Sequence, residues 1–220
     1  MKSWYAISLF SLLFINVLHA QSINDSAKYN PGIYLFESST TSNDYKNAAG
    51  YFEQLILQYP EQWLAWYYTG LCYIRASDKE VEVTAKDKLL DKAQPLIDSA
   101  FTLNPTGPEL HILQAFLYQT RIQVNPVGRG FSYSRKADVS LKKAVAGDPE
   151  NPRAWSLIAF NVYYTPVPFG GGPQKALPLF IKAKEKFTMY KPALTFMPRW
   201  GETENQQMII DCRKAVKQGT

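Results

Sequence analysis

The sequence predicts an all-α protein built from stacked helical pairs, on three observations. An apolar signature recurs four times: Ala48, Phe52, Leu55, Pro60; Ala93, Ile97, Ala100, Pro105; Ala137, Leu141, Ala144, Pro149; and Ala176, Phe180, Ala183, with Thr188 where the proline would fall. Steps of four and three put the three apolar residues on one helix face, and the proline ends the helix. Each proline is followed by another helix start with an apolar anchor and a small residue: Trp66, Gly70 and Tyr73, then Ala115 and Tyr118, then Trp155 and Ala159. Finally, 14 Tyr, 12 Phe and 5 Trp in 220 residues are far more than a disordered chain carries.

The chain opens on Lys2 and an uncharged run from Trp4 to Leu18, closed by His19 and Ala20. A positive start, an apolar centre and a small residue before the cut are the layout of a secretory signal peptide. Residues 1–20 are therefore expected to be removed after about Ala20, and the mature chain to be exported, periplasmic or secreted. No later stretch reaches the ~18 apolar residues of a transmembrane helix. Residues 21–42, with Asn30-Pro31-Gly32 and the polar run Ser38 to Ser42, read as an irregular lead-in with room for one short helix.

Residues 43–190 carry the repeats, and they resemble the tetratricopeptide repeat (TPR). Trp66, Gly70 and Tyr73 match the aromatic, small and aromatic positions of that family's first helix. Ala93, Ile97, Ala100 and Pro105 match its second, and Trp155, Ala159, Ala176, Phe180 and Ala183 repeat the match. The resemblance implies a right-handed solenoid of helical hairpins that binds partners on a concave face. The spacing departs from the family. From Gly70 to Ala93 is 23 residues, from Ala115 to Ala137 is 22 and from Ala159 to Ala176 is 17, against about 12 in the standard unit. The first surplus is charged and helix-compatible. The other two hold breakers, over 125–130 and 165–172, and predict long inter-helix loops. Residues 191–220 read as a linker with Pro192, Pro198 and Gly201, then a capping helix with Met208, Ile209, Cys212 and Val216 on one face.

The chemistry tests are negative, and no enzymatic activity, metal or cofactor is expected. Ser140 and Lys143 have the Ser-x-x-Lys spacing of penicillin-recognising enzymes without the companion motifs. His111 has no second histidine or cysteine nearby. Cys72 and Cys212 fall on distant helices and read as buried, unpaired thiols.

Charge is uneven: residues 1–120 hold 8 Lys and Arg against 12 Asp and Glu, residues 121–220 hold 16 against 7. In an exported chain this points away from nucleic acid and toward acidic glycans, anionic lipid or a protein. Solvated helix faces, as at Lys182, Lys184 and Lys186, are the plainer account.

The candidate binding residues lie in the two breaker segments: Arg129, Phe131 and Tyr133 in one, Phe169, Gly170, Gly171, Gly172 and Lys175 in the other. Equivalent points of successive repeats should lie side by side on one rim. The glycines read either as a tight turn or as an amide cradle at a helix start, suited to a carboxylate or phosphate. The expected function is a non-catalytic scaffold or binding module for a protein or peptide in the cell envelope. The alternative is a periplasmic accessory for an anionic small ligand. A deep pocket at 125–135 and 165–175 would favour the ligand; an open groove lined by Tyr67, Tyr118 and Tyr163 would favour a peptide.

Overall fold

A computed structural model describes residues 25–218; the expected signal peptide lies outside them. The described residues form helices α1 (residues 25–38), α2 (Ser42–Gln58), α3 (Trp63–Lys79), α4 (Val83–Leu103), α5 (Pro108–Val124), α6 (Pro126–Gly147), α7 (Pro152–Tyr164), α8 (Pro173–Met189) and α9 (Glu202–Gln218), with no strand among them. Local chemistry sets many of the starts. Pro108, Pro126, Pro152 and Pro173 occupy the first helical turn, where no amide donor is needed. Thr41 and Asp44 form a capping box, and the side chains of Asn125 and Asn151 cap α6 and α7.

Successive helices pack as pairs, α3 on α4, α5 on α6 and α7 on α8, while α4–α5 and α6–α7 contacts join one pair to the next. The repeated small positions are where the helices meet: Ala48, Ala93, Ala100, Ala137, Ala144, Ala176 and Ala183 are all fully buried. Gly70 belongs to the same set, because a Cβ there would press on Ile97 and approach the Ala93 carbonyl of α4. Ala144 sits in a cluster with Ile112, Ala115, Ala154 and Leu157, between α5 and α7. Ala144→Leu is therefore expected to overpack that contact and lower the unfolding free energy by ~1–3 kcal/mol, read from urea denaturation.

Two expected irregular segments are helical. The lead-in is α1, which runs through Pro31 and Gly32 because its partners leave no alternative. Tyr29 and Phe36 are buried anchors, and Gly32 faces Tyr51 and Phe52 so closely that a Cβ would clash with both rings. The expected loop at 125–130 is the start of α6. Asn125 accepts from the Gly128 amide and Pro126 supplies the pre-set first turn, so the breakers act as a start signal rather than a gap. Only 165–172 stays outside α-helix, holding one 3-10 turn, Val167–Phe169.

The C-terminal region also differs from a simple tail. Helix α9 caps α8, burying Met208, Ile209 and Cys212 while Val216 stays exposed. Cys72 and Cys212 are buried and free, as expected. The linker is packed, not loose. Phe196 stacks on Tyr29 (5.4 Å between ring centroids) and its carbonyl accepts from Tyr68 Oη (2.9 Å). Trp200 donates from Nε1 to Tyr67 Oη (2.8 Å) and stacks on Phe116. Residues 190–201 thus run back across the face made by the first helices of the pairs.

Candidate functional site

The two candidate segments adjoin, since Asn161 Nδ2 near the end of α7 donates to the Ser134 carbonyl near the start of α6 (3.2 Å). They do not close a pocket. Arg129 grips Asp87 of α4 with two prongs (2.7 and 2.6 Å), and Arg121 donates to the same carboxylate (3.0 Å). The Arg129 hydrogen bonds hold the Asp87 carboxyl below its ordinary range. Arg129 is therefore a brace between α4 and α6. Phe131 is 78% exposed, with the Arg135 guanidinium over its ring. Tyr133 turns the other way and packs on Tyr118 (5.7 Å), with the Lys136 ammonium over it (4.8 Å).

In the second segment Phe169 is 80% exposed. Gly170 and Gly172 have φ of 89° and 96°, which only glycine adopts without strain. At Gly171 a Cβ would collide with the Thr165 carbonyl and side chain. All three glycine amides donate inward: Gly170 to Val167 O, Gly171 to Pro166 O, and Gly172 to Val162 O. Of the two readings of this triplet, the geometry is that of the tight turn. The amides are already engaged within the turn, and Lys175 is an exposed cation on the first turn of α8.

The open groove of Tyr67, Tyr118 and Tyr163 that would favour a peptide does not form, for a different reason. Tyr67 is fully buried beneath Trp200, Tyr118 opens to the opposite face, and Tyr163 packs on Tyr164. The chain's own residues 190–201 cover the first-helix face. A cavity of about 850 Å³ persists between α1, the linker and α9. Its wall brings Glu37, Glu202 and Glu204 against Arg75 and Arg199, and Arg75 is already paired with Glu204 (2.7 Å). Such a lining does not attract an anion.

A second cavity, of about 670 Å³, lies between α4 and α6 over a floor supplied by α5, and sequence reasoning missed it. Helix α5 presents His111, Gln114 and Tyr118, which at steps of three and four share one face. Helix α4 adds Gln94, Asp98 and Phe101; α6 adds Arg135, Lys136, Val139, Ser140 and Lys143. Gln94 and Gln114 exchange hydrogen bonds (2.9 and 3.1 Å) and Gln94 also donates to Asp98 (2.9 Å), so the amide floor is internally satisfied. Three cations face a single carboxylate. Lys136 lies over both the Tyr133 and Tyr118 rings.

His111 rests against Phe101 (5.0 Å) and makes no hydrogen bond among the described residues. Burial first, then the Lys143 ammonium, push its imidazole below the ordinary value, so the ring is neutral at pH 7. Polar and aromatic groups on an α5 face that a pure packing helix would make aliphatic were the available signal. No cluster of His, Cys, Asp and Glu suited to a metal ion occurs among the described residues, and no described helix is long and apolar enough to cross a membrane.

Comparison with known proteins bears on the fold. No protein-family model and no curated protein matches the chain. Among solved structures it is similar to the HusA haemophore from Porphyromonas gingivalis, at 28% identity over 84% of this chain and 91% of that one, with a TM-score of 0.75. It is also similar to a thermophilic TPR protein of Thermus thermophilus, at 17% identity over 97% and 93% of the two chains, with a TM-score of 0.60, which bears on the fold alone. The chain has a TPR-like fold, and a binding or scaffold role fits it.

Proposed function

We propose that this TPR-like solenoid is an exported, non-catalytic carrier of a flat, anionic small molecule of the porphyrin class, held in the groove between α4 and α6. The observation that carries the reading is the groove's lining: aromatic side chains beside Arg135, Lys136 and Lys143, with Asp98 as the only carboxylate. A macrocycle with peripheral carboxylates needs an apolar surface for its face and cations for its edge. Phe101 and Tyr118 supply the first, and the α6 cations the second. His111 adds a neutral imidazole whose nitrogens make no hydrogen bond among the described residues and which would serve as a ligand for an iron at the ring's centre. Similarity to a haemophore over most of both chains supports the same ligand class.

Absorbance titration of residues 21–220 with haemin and with iron-free protoporphyrin tests this. Saturable binding of both is expected. Lys136→Glu with Lys143→Glu should weaken both by about tenfold or more, equivalent to ~1.4 kcal/mol. His111→Ala should alter the haemin spectrum and leave protoporphyrin binding nearly unchanged. Lack of saturable binding, or binding indifferent to the charge reversals, rejects the reading. Export rests on the character of residues 1–20, and intact-mass measurement of the exported protein should show a start near Gln21. Met1 to Ala20 still attached would reject it.

A protein partner is the second reading, supported by the TPR-like fold. It requires residues 190–201 to leave the first-helix face or the partner to bind elsewhere.

A further inference from the structure

The junctions of first and second helices carry a feature separate from the groove floor, with Arg135 shared between this rim and the groove's lining. Val127 and Phe131, in the first two turns of α6, are 99% and 78% exposed. Tyr164, Val167 and Phe169, at the α7–α8 turn, are 72%, 66% and 80% exposed. Single exposed apolar residues are ordinary, but five on two adjoining turns are a patch. Adjacency is set by hydrogen bonds: Gln119 Nε2 of α5 donates to Asn161 Oδ1 (2.9 Å), and Asn161 Nδ2 donates to Ser134 O. Phe131 lies three residues before Ser134, and Tyr164 three residues after Asn161.

The segments that carry these side chains hold cations only, with Asp87 of α4 and Asp211 of α9 approaching from neighbouring helices. Residues 125–137 and 161–184 contain no Asp or Glu. Arg129 is held by Asp87, Lys182 lies over the Trp155 ring (3.3 Å) and Lys136 over the Tyr133 ring (4.8 Å), which leaves Arg135, itself over the Phe131 ring, and Lys175 beside the exposed side chains in the sequence. The α7–α8 turn is also preset. Its three glycine amides bond inward and two of its glycines hold left-handed conformations, so Phe169 is held outward by a turn that needs no further ordering.

We infer that this rim docks on an anionic lipid surface, with Phe131 and Phe169 as the inserted side chains and Arg135 and Lys175 as the contacts to lipid phosphates. The choice of lipid over protein follows from charge and from the lack of a pocket. Protein interfaces seat their anchors in packed, complementary pockets. Here Phe131 and Phe169 line neither of the two cavities, and their own segments supply cations without a carboxylate. A fluid headgroup layer accepts such side chains without complementarity, and flanking cations add attraction to anionic headgroups. The contact is peripheral and reversible, since only short tips enter.

Co-sedimentation of residues 21–220 with vesicles tests this, comparing phosphatidylcholine alone with a phosphatidylcholine–phosphatidylglycerol mixture. The bound fraction is expected to be about fivefold higher on the anionic vesicles and to fall with added salt. Phe131→Ser with Phe169→Ser should reduce it by about fivefold or more, and Arg135→Glu with Lys175→Glu should do so on anionic vesicles alone. All four sites are exposed, so both variants should melt with the parent chain. The inference is overturned if the parent chain ignores anionic vesicles or if the serine variant sediments equally well. An envelope protein captured through these residues without vesicle binding would overturn it in favour of a protein partner.

Discussion

Arg153→Met is expected to lower the stability of the chain by ~3–5 kcal/mol, the range for breaking a buried ion pair from one side. The Arg153 side chain is fully buried and that of Glu109 only 8% exposed. Arg153 Nη2 and Nε both donate to the Glu109 carboxylate, and Nη2 also donates to Tyr190 Oη (2.9 Å). Asn151 Nδ2 donates to Glu109 Oε1 as well (2.6 Å). These residues come from the first turn of α5, the start of α7 and the beginning of the C-terminal linker, so one charge cluster ties two repeats to the segment that crosses them. Removing the guanidinium leaves a carboxylate in the interior with Asn151 as its chief remaining donor. Replacing both partners should recover much of the loss, because two well-packed apolar residues strand no charge. Glu109→Leu with Arg153→Met is thus expected to be more stable than Arg153→Met alone. Urea denaturation of the three variants checks this, and a single-variant loss under ~1 kcal/mol would mean that packing, not the pair, holds the junction.

Trp200→Ala is the second large effect, with an expected cost of ~3 kcal/mol and a local consequence beyond it. The indole donates to Tyr67 Oη, stacks on Phe116 at 5.1 Å and lies under the Arg75 guanidinium at 5.4 Å. Truncation removes an aromatic partner from three residues on two helices, α3 and α5, and leaves the fully buried Tyr67 hydroxyl without its donor. The linker should then open while the helical pairs persist. Hydrogen exchange of residues 190–201 is expected to accelerate well before global unfolding. Unchanged protection there would show that Phe196, through Tyr29 and Tyr68, is enough to hold the segment down. The same variant addresses the protein-partner reading, since a partner of the first-helix face should bind it better than the parent chain.

What was legible in the residues was local. Ala93, Ile97 and Ala100 announce a buried helix face because a period of 3.6 places them together, and two alanines announce close approach because little else fits between backbones. That reasoning holds for each copy of the signature through Ala183. It failed at Asn125-Pro126 and at Pro31-Gly32, where the same residue types that break a helix also start one or fit beneath a ring. Gly32 lies where Tyr51 and Phe52, some twenty positions away, leave no room for a side chain.

The candidate site was less legible, and for a longer-range reason. Trp200 meets Tyr67 across 133 positions and Tyr68 meets Phe196 across 128, so no spacing in the sequence signals that the linker covers the first-helix face. The groove depends likewise on how far α4 stands from α6, a distance braced by Arg129 on Asp87 across 42 positions. By itself the sequence determined the helices, their buried faces and the pairing of neighbours, because periodicity and capping act within a few residues. Only the tertiary structure decided which face is open. A face is closed or left free by side chains brought together from distant helices, and their meeting is a property of the stacked array.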